Sequence, residues 1–224
     1  MTGTQRLLAI AISFLLTGFA NSARPDVVGI VVQASHANLG GHTASQGTTV
    51  YDGDRLSTEA EGTLQLSSGK VALFLPEASS AIVHRDTDGG EKGFKAELVF
   101  GTLTLTMDTG TAAEVVARSA RIRPGDNQAC VVQVRVVGER ELIVSARRGT
   151  AVFSYRDLSE PIPEGKSYRV VLDPAEDGTP TGQTTKKPNR RGKAFILIAV
   201  AGAAAATGIA IWKTRNAVES PDHP

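Results

Sequence analysis

Apolar residues return at every second position through most of this chain, and a period of two dictates strands. Leu64 and Leu66 share one face, and Val71, Leu73 and Leu75 share another that Pro76 ends. Phe94, Ala96, Leu98 and Phe100 hold the even phase. Leu103, Leu105 and Met107 then hold the odd phase, with Thr102, Thr104 and Thr106 on the opposite face. The phase changes at Gly101, which predicts a bulge or sharp bend there. Cys130, Val132, Val134 and Val136 continue the pattern, followed by Leu142, Val144 and Ala146, by Ala151, Phe153 and Tyr155, and by Tyr168, Val170 and Leu172. Between Asp26 and Asp173 no apolar 3.6-residue period reaches helix length, and only Glu114–Arg118 reads as a helical turn. The expectation is an all-β domain, built as a sandwich, a barrel or a short solenoid. At 224 residues and 41% hydrophobic composition the chain can bury a sizeable core, and one cysteine excludes a disulfide framework or a Cys-rich zinc site.

Both ends carry a different signal. Arg6 precedes the apolar run Leu7–Leu16, and Gly18-Phe19-Ala20 supplies small residues for a cleavage site, so residues 1–20 read as a signal peptide with Ala23 as a second cleavage position. Ala194–Trp212 is uncharged over 19 residues, or about 28 Å as a helix at 1.5 Å per residue, and reads as a transmembrane helix with Trp212 at its interface. Gly202 and Gly208 with the alanines between them read either as a small-residue face for close helix approach or, the favoured reading, as a merely weak hydrophobic span. Residues 174–193 lose their apolar content and read as a flexible basic tether, and residues 213–224 as a short cytoplasmic tail.

The net charge of +1 conceals a segregation. Residues 186–224 hold seven basic side chains against two acidic ones, and residues 24–185 are net acidic. Lys186, Lys187, Arg190, Arg191 and Lys193 form a membrane-proximal collar; nothing in the balance suits a nucleic-acid groove. The positive-inside tendency alone would hold this collar in the cytoplasm, whereas an export signal followed by one stop-transfer span places it outside. The export signal decides the expectation: a single-pass protein of a bacterial inner membrane, with the β domain in the periplasm.

The order of short motifs carries a resemblance. Gly53-Asp54-Arg55-Leu56-Ser57-Thr58 shows a G-D-x-L-x-T pattern, followed by Glu61-Gly62-Thr63-Leu64-Gln65-Leu66 and Ser68-Gly69-Lys70-Val71. Leu98-Val99-Phe100-Gly101-Thr102-Leu103, Arg148-Gly149-Thr150-Ala151-Val152 and Pro163-Glu164-Gly165-Lys166 come later. In this order they resemble the FecR domain, the extracytoplasmic sensor domain of iron-dicitrate-type regulators, over residues 26–173. The resemblance implies an all-β fold and partner recognition. It also implies an orphan form lacking the cytoplasmic anti-sigma segment, and Gln128–Val134 departs from the family's central G-T-x-F-x-V step. The motif positions Gly53, Asp54, Leu56, Thr58, Gly69, Gly101, Gly149 and Gly165 are expected to serve structure.

Against this background no catalytic or ligand-binding pattern is complete. Gly165-Lys166-Ser167 lacks the earlier glycine of a phosphate loop and precedes a strand; Gly69-Lys70 is followed by Val71. Asp86, Asp88 and Glu97 echo a calcium loop, but Glu91 stands where that loop needs glycine. Asp52 and Asp54 read as turn formers. His36, His42, His84 and His223 lack metal-ligand spacing, Cys130 reads as a small buried hydrophobe, and the threonine row at 102–106 as a solvent face. The expectation is no catalysis, no cofactor and no metal. The module would recognise an envelope protein or glycan through loops at Ala34–Gly47 and His84–Gly93 and relay a signal. The alternative is a structural envelope protein that binds peptidoglycan or surface polysaccharide.

Overall fold

The computed structural model describes residues 26–86, 93–125, 128–172, 195–200 and 210–211, and every regular element among them is a strand. The strands are β1 (Val27–Leu39), β2 (His42–Thr43), β3 (Thr49–Tyr51), β4 (Arg55–Ser68), β5 (Val71–Leu75), β6 (Ser80–Asp86), β7 (Gly93–Met107) and β8 (Ala113–Ala117). They continue as β9 (Ala120–Pro124), β10 (Cys130–Gly138), β11 (Glu141–Arg148), β12 (Ala151–Tyr155), β13 (Leu158–Ile162), β14 (Ser167–Leu172), β15 (Phe195–Ala199) and β16 (Ala210–Ile211). The expected signal peptide, the whole of the expected tether with its five basic residues, and the tail at 213–224 lie outside the described residues.

Three long strands, β1, β4 and β7, each serve two ladders. The first half of β7 pairs with β6 and, in parallel, with β8; its second half pairs with β5 and β10. β4 pairs with β6 through Arg55–Ser57 and with β5 through Leu64–Ser68. One ladder runs through β6, β7, β8, β9 and β12 to β13, and the other through β5, β7, β10, β11 and β14 to β15. Both send inward faces into one core that includes Val83, Ile122 and Phe153 from the first, Leu105, Val134 and Val144 from the second, and Leu56 and Leu66 from β4.

The crossings sit where side chains would obstruct them. Gly101 has φ +81°, and a Cβ there would run into the Ala78 carbonyl and the Ser79 backbone. The bend foreshadowed by the phase change is therefore real, but its faces differ from simple alternation. Phe100 is 48% exposed and Thr102 is buried, because the left-handed turn at Gly101 rotates both neighbours. At the matching bend of β1 and β4, His36 and Glu61 take positive φ, and Gly62 lies against the His36 carbonyl.

Three expectations need correction. Glu114–Arg118 is no helical turn: Ala113–Ala117 is β8, whose Val115 and Ala117 are fully buried, and the chain turns at Arg118 and Ser119. Ala34–Gly47 is not a loop, since β1 continues to Leu39 and forms a hairpin with β2. Phe195–Ala199, the start of the expected transmembrane helix, is a strand on β14, and Ala210–Ile211 pairs with it. A short apolar run rich in isoleucine fits strand or helix equally, and here the β14 backbone supplies its hydrogen-bond partners. Residues 201–209 lie outside the described residues. Among the described residues no helix is long and apolar enough to cross a membrane.

Candidate functional site

The G-D-x-L-x-T motif builds a junction. Asp54 Oδ2 accepts a hydrogen bond from the Tyr51 amide at 2.8 Å, closing the β3–β4 turn over Gly53. Leu56 fills the core. Thr58 Oγ1 donates to the Pro76 carbonyl and accepts from the Ser79 amide at 3.0 Å. Ser79 Oγ in turn accepts from the Thr102 amide at 2.9 Å, just beyond Gly101. Thr58 and Ser79 thus fasten β4 to the bend of β7. Gly69, Gly149 and Gly165 also take positive φ, and Gly149 packs so closely on the Ala129 carbonyl that a Cβ would not fit.

The remaining candidates are engaged within the body. Asp52 Oδ1 accepts from the Arg85 amide at 2.8 Å and lies 3.4 Å from His84 Nδ1. Glu97 stands exposed on β7; residues 87–92, with Asp88 and Glu91, lie outside the described residues, as does His223. His36 sits at the β1 bend and His42 in β2, both exposed. Cys130 is 1% exposed, its thiol 3.6 Å from the Thr150 carbonyl, and burial pushes its pKa up. The threonine row is not a simple solvent face: Arg135 Nε donates to Thr102 Oγ1 at 3.2 Å, and Gln133 Nε2 meets Thr104 Oγ1 at 3.5 Å. Among the described residues no group of three His, Cys, Asp or Glu is placed to hold a metal ion.

Two surface features emerge that no local motif announces. The first is a cleft of about 400 Å³ lined by Ser68, Gly69, Lys70 and Val71 of the β4–β5 turn, Arg85 of β6, Phe94 of β7, and Gly110–Ala112. Two Arg85 hydrogen bonds from Nη2, at 2.7 and 2.8 Å, hold the carbonyls of Val27 and Val28 and fix the start of β1. Neither Lys70 nor Arg85 forms an ion pair among the described residues, and the buried hydroxyl of Thr111 lacks a partner there. Two cationic groups beside an unsatisfied hydroxyl suit an anionic, hydrogen-bonding ligand.

The second feature is the edge of β14. Tyr168–Leu172 pairs residue for residue with Phe195–Ala199, from Leu172↔Phe195 to Tyr168↔Ala199, and Val200 N donates to Ser167 O at 2.8 Å. Leu197, opposite Val170, is 7% exposed and joins the core.

No protein-family model and no curated protein matches the sequence. Two crystal structures of a candidate anti-sigma factor from Parabacteroides distasonis are similar in chain course. Each has a TM-score of 0.43 at 13% identity, covering 52% of this chain and 54% of the other. The chain thus spans about half the length of that protein.

Proposed function

We propose that this chain is a membrane-anchored, extracytoplasmic recognition module with a FecR-like body. It is non-catalytic, sits on the periplasmic side of a bacterial inner membrane, binds an envelope protein and relays its state. The observation that supports this reading is the β14 edge, which holds an extended apolar segment by main-chain pairing with one leucine in the core. That is how a sheet recognises an extended peptide: backbone bonds supply affinity and alternate side-chain pockets supply selectivity. The signal segment, the basic collar and the C-terminal apolar run support the location.

Photo-crosslinking from position 169 in intact cells tests recognition, and the expected product is a discrete adduct with another envelope protein. A reporter fused after Pro224 tests topology, and cytoplasmic activity is expected. An extracytoplasmic reporter would overturn the orientation. Turnover of a glycan or peptide by the purified chain would overturn the non-catalytic assignment.

The cleft favours a second reading, a structural protein that binds an acidic cell-wall or surface polymer through Lys70 and Arg85. Co-sedimentation with isolated cell wall, lost in Lys70→Glu, would favour it over the first.

A further inference from the structure

The two ladders end differently. β13, at one end, carries Pro161 and Glu160, and proline cannot donate to a further strand. β14, the strand that β15 and then β16 follow at the other end, has neither device: Val170 and Leu172 point into the core, and its one charged residue, Arg169, is tied to Glu141 of β11. Leu172 N donates to Arg140 O on the β11 side, so by alternation the amides of Arg169 and Val171 face outward to β15. An edge built this way accepts another strand readily, and residues 195–200 cover it.

Those residues also begin the uncharged run Ala194–Trp212. Within a membrane helix each amide bonds the carbonyl four residues earlier, whereas in the sheet the alternate amides of this segment turn to β14, as Val200 N does to Ser167 O. The two placements are mutually exclusive. We propose that the β14 edge is a strand-acceptor site for an extended apolar segment of an envelope protein, capped by residues 195–200 until the tail enters the bilayer and opens it. This rests on the membrane-anchored recognition reading and adds its regulation. The incoming strand carries a large apolar side chain at the place of Leu197 and runs antiparallel to β14.

The test uses the full chain, synthesised cell-free with and without phosphatidylglycerol-containing lipid vesicles. Arg169 and Ile198 are directly opposed, so R169C/I198C reports the cap as an internal disulfide, while buried Cys130 stays out of reach. The single variant R169C with the peptide KKFILCAVKK reports acceptance of a strand as a mixed disulfide. Without lipid the internal link forms and the peptide link does not. With lipid the internal link falls at least tenfold and the peptide link rises at least tenfold, while KKFIDCAVKK fails to link. In the unsubstituted chain, lipid also removes hydrogen-exchange protection from the amides of Arg169 and Val171, a readout independent of the variants' folding.

An internal link equally strong in both conditions, or absent from both, overturns the cap. Loss of the internal link with no peptide link overturns strand recognition at this edge, and with it the observation behind the proposed function. A peptide link of equal strength with and without lipid leaves recognition standing and overturns its control by the tail. A disulfide joining two copies of the R169C chain through position 169 assigns the edge to a second copy and overturns the envelope partner.

Discussion

Thr58→Val removes one hydroxyl and keeps the side-chain shape, so its effect isolates the junction that the G-D-x-L-x-T motif builds. Ser79 is fully buried, and its amide is left without the Thr58 oxygen that accepts from it at 3.0 Å. The Pro76 carbonyl loses its donor as well. An orphaned buried amide costs about 1–3 kcal/mol, and the second lost bond adds about 1 kcal/mol. The expected destabilisation is therefore about 2–4 kcal/mol. With a denaturant slope of about 2 kcal/mol per molar urea, the midpoint falls by roughly 1–2 M, followed by circular dichroism at the strand minimum. Thr58→Ser keeps the hydroxyl and should lose less than about 1 kcal/mol. A Thr58→Val midpoint within experimental error of the parent, or a Thr58→Ser loss as large as that of Thr58→Val, would refute the hydroxyl's role.

Gly101→Ala places a Cβ against the Ala78 and Ser79 backbone at a left-handed φ, and a loss of at least about 2 kcal/mol is expected by the same measurement. Phe153→Ala empties a fully buried site and should cost about 3–5 kcal/mol. Cys130 should resist maleimide in the folded chain and react on unfolding. Its thiol pKa is raised above the ordinary 9.0 by burial, so the unfolded chain loses that proton first as pH rises. The resulting stability is intact below the ordinary thiol value and declines above it, towards the folded-state pKa. Cys130→Ala should flatten this alkaline decline in a series of urea melts.

Period-two patterning made the core legible: Leu64, Leu66, Leu73, Leu105, Val132, Val144 and Phe153 all lie inside where alternation puts them. The pattern was unreliable beside the bends and along β8, where Glu114 is buried next to Val115. Phe100 and Thr102 exchanged their expected environments because one left-handed residue rotates its neighbours, and alternation carries no term for that. His36 adopts positive φ without being glycine, so the continuation of β1 through a polar stretch had no local mark. The cleft was hidden for another reason. Lys70, Arg85 and Thr111 come from three separate parts of the chain, and no spacing rule joins them before the sheet is folded. Phe195–Val200 is ambiguous by its own composition, and the decisive partner is the β14 edge, more than twenty residues upstream.

β7 has one further consequence. Its neighbours β5, β6, β8 and β10 extend from Val71 to Gly138, so no local hairpin satisfies its whole length. Sheets closed by such distant pairings assemble in milliseconds to seconds rather than microseconds. A polypeptide threaded lengthwise from its amino end stays loose until Gly138 has emerged, because the last flank of the central strand arrives only then. The stitching that unites the two ladders thereby also sets a delay between the emergence of the chain and the closure of its sheet.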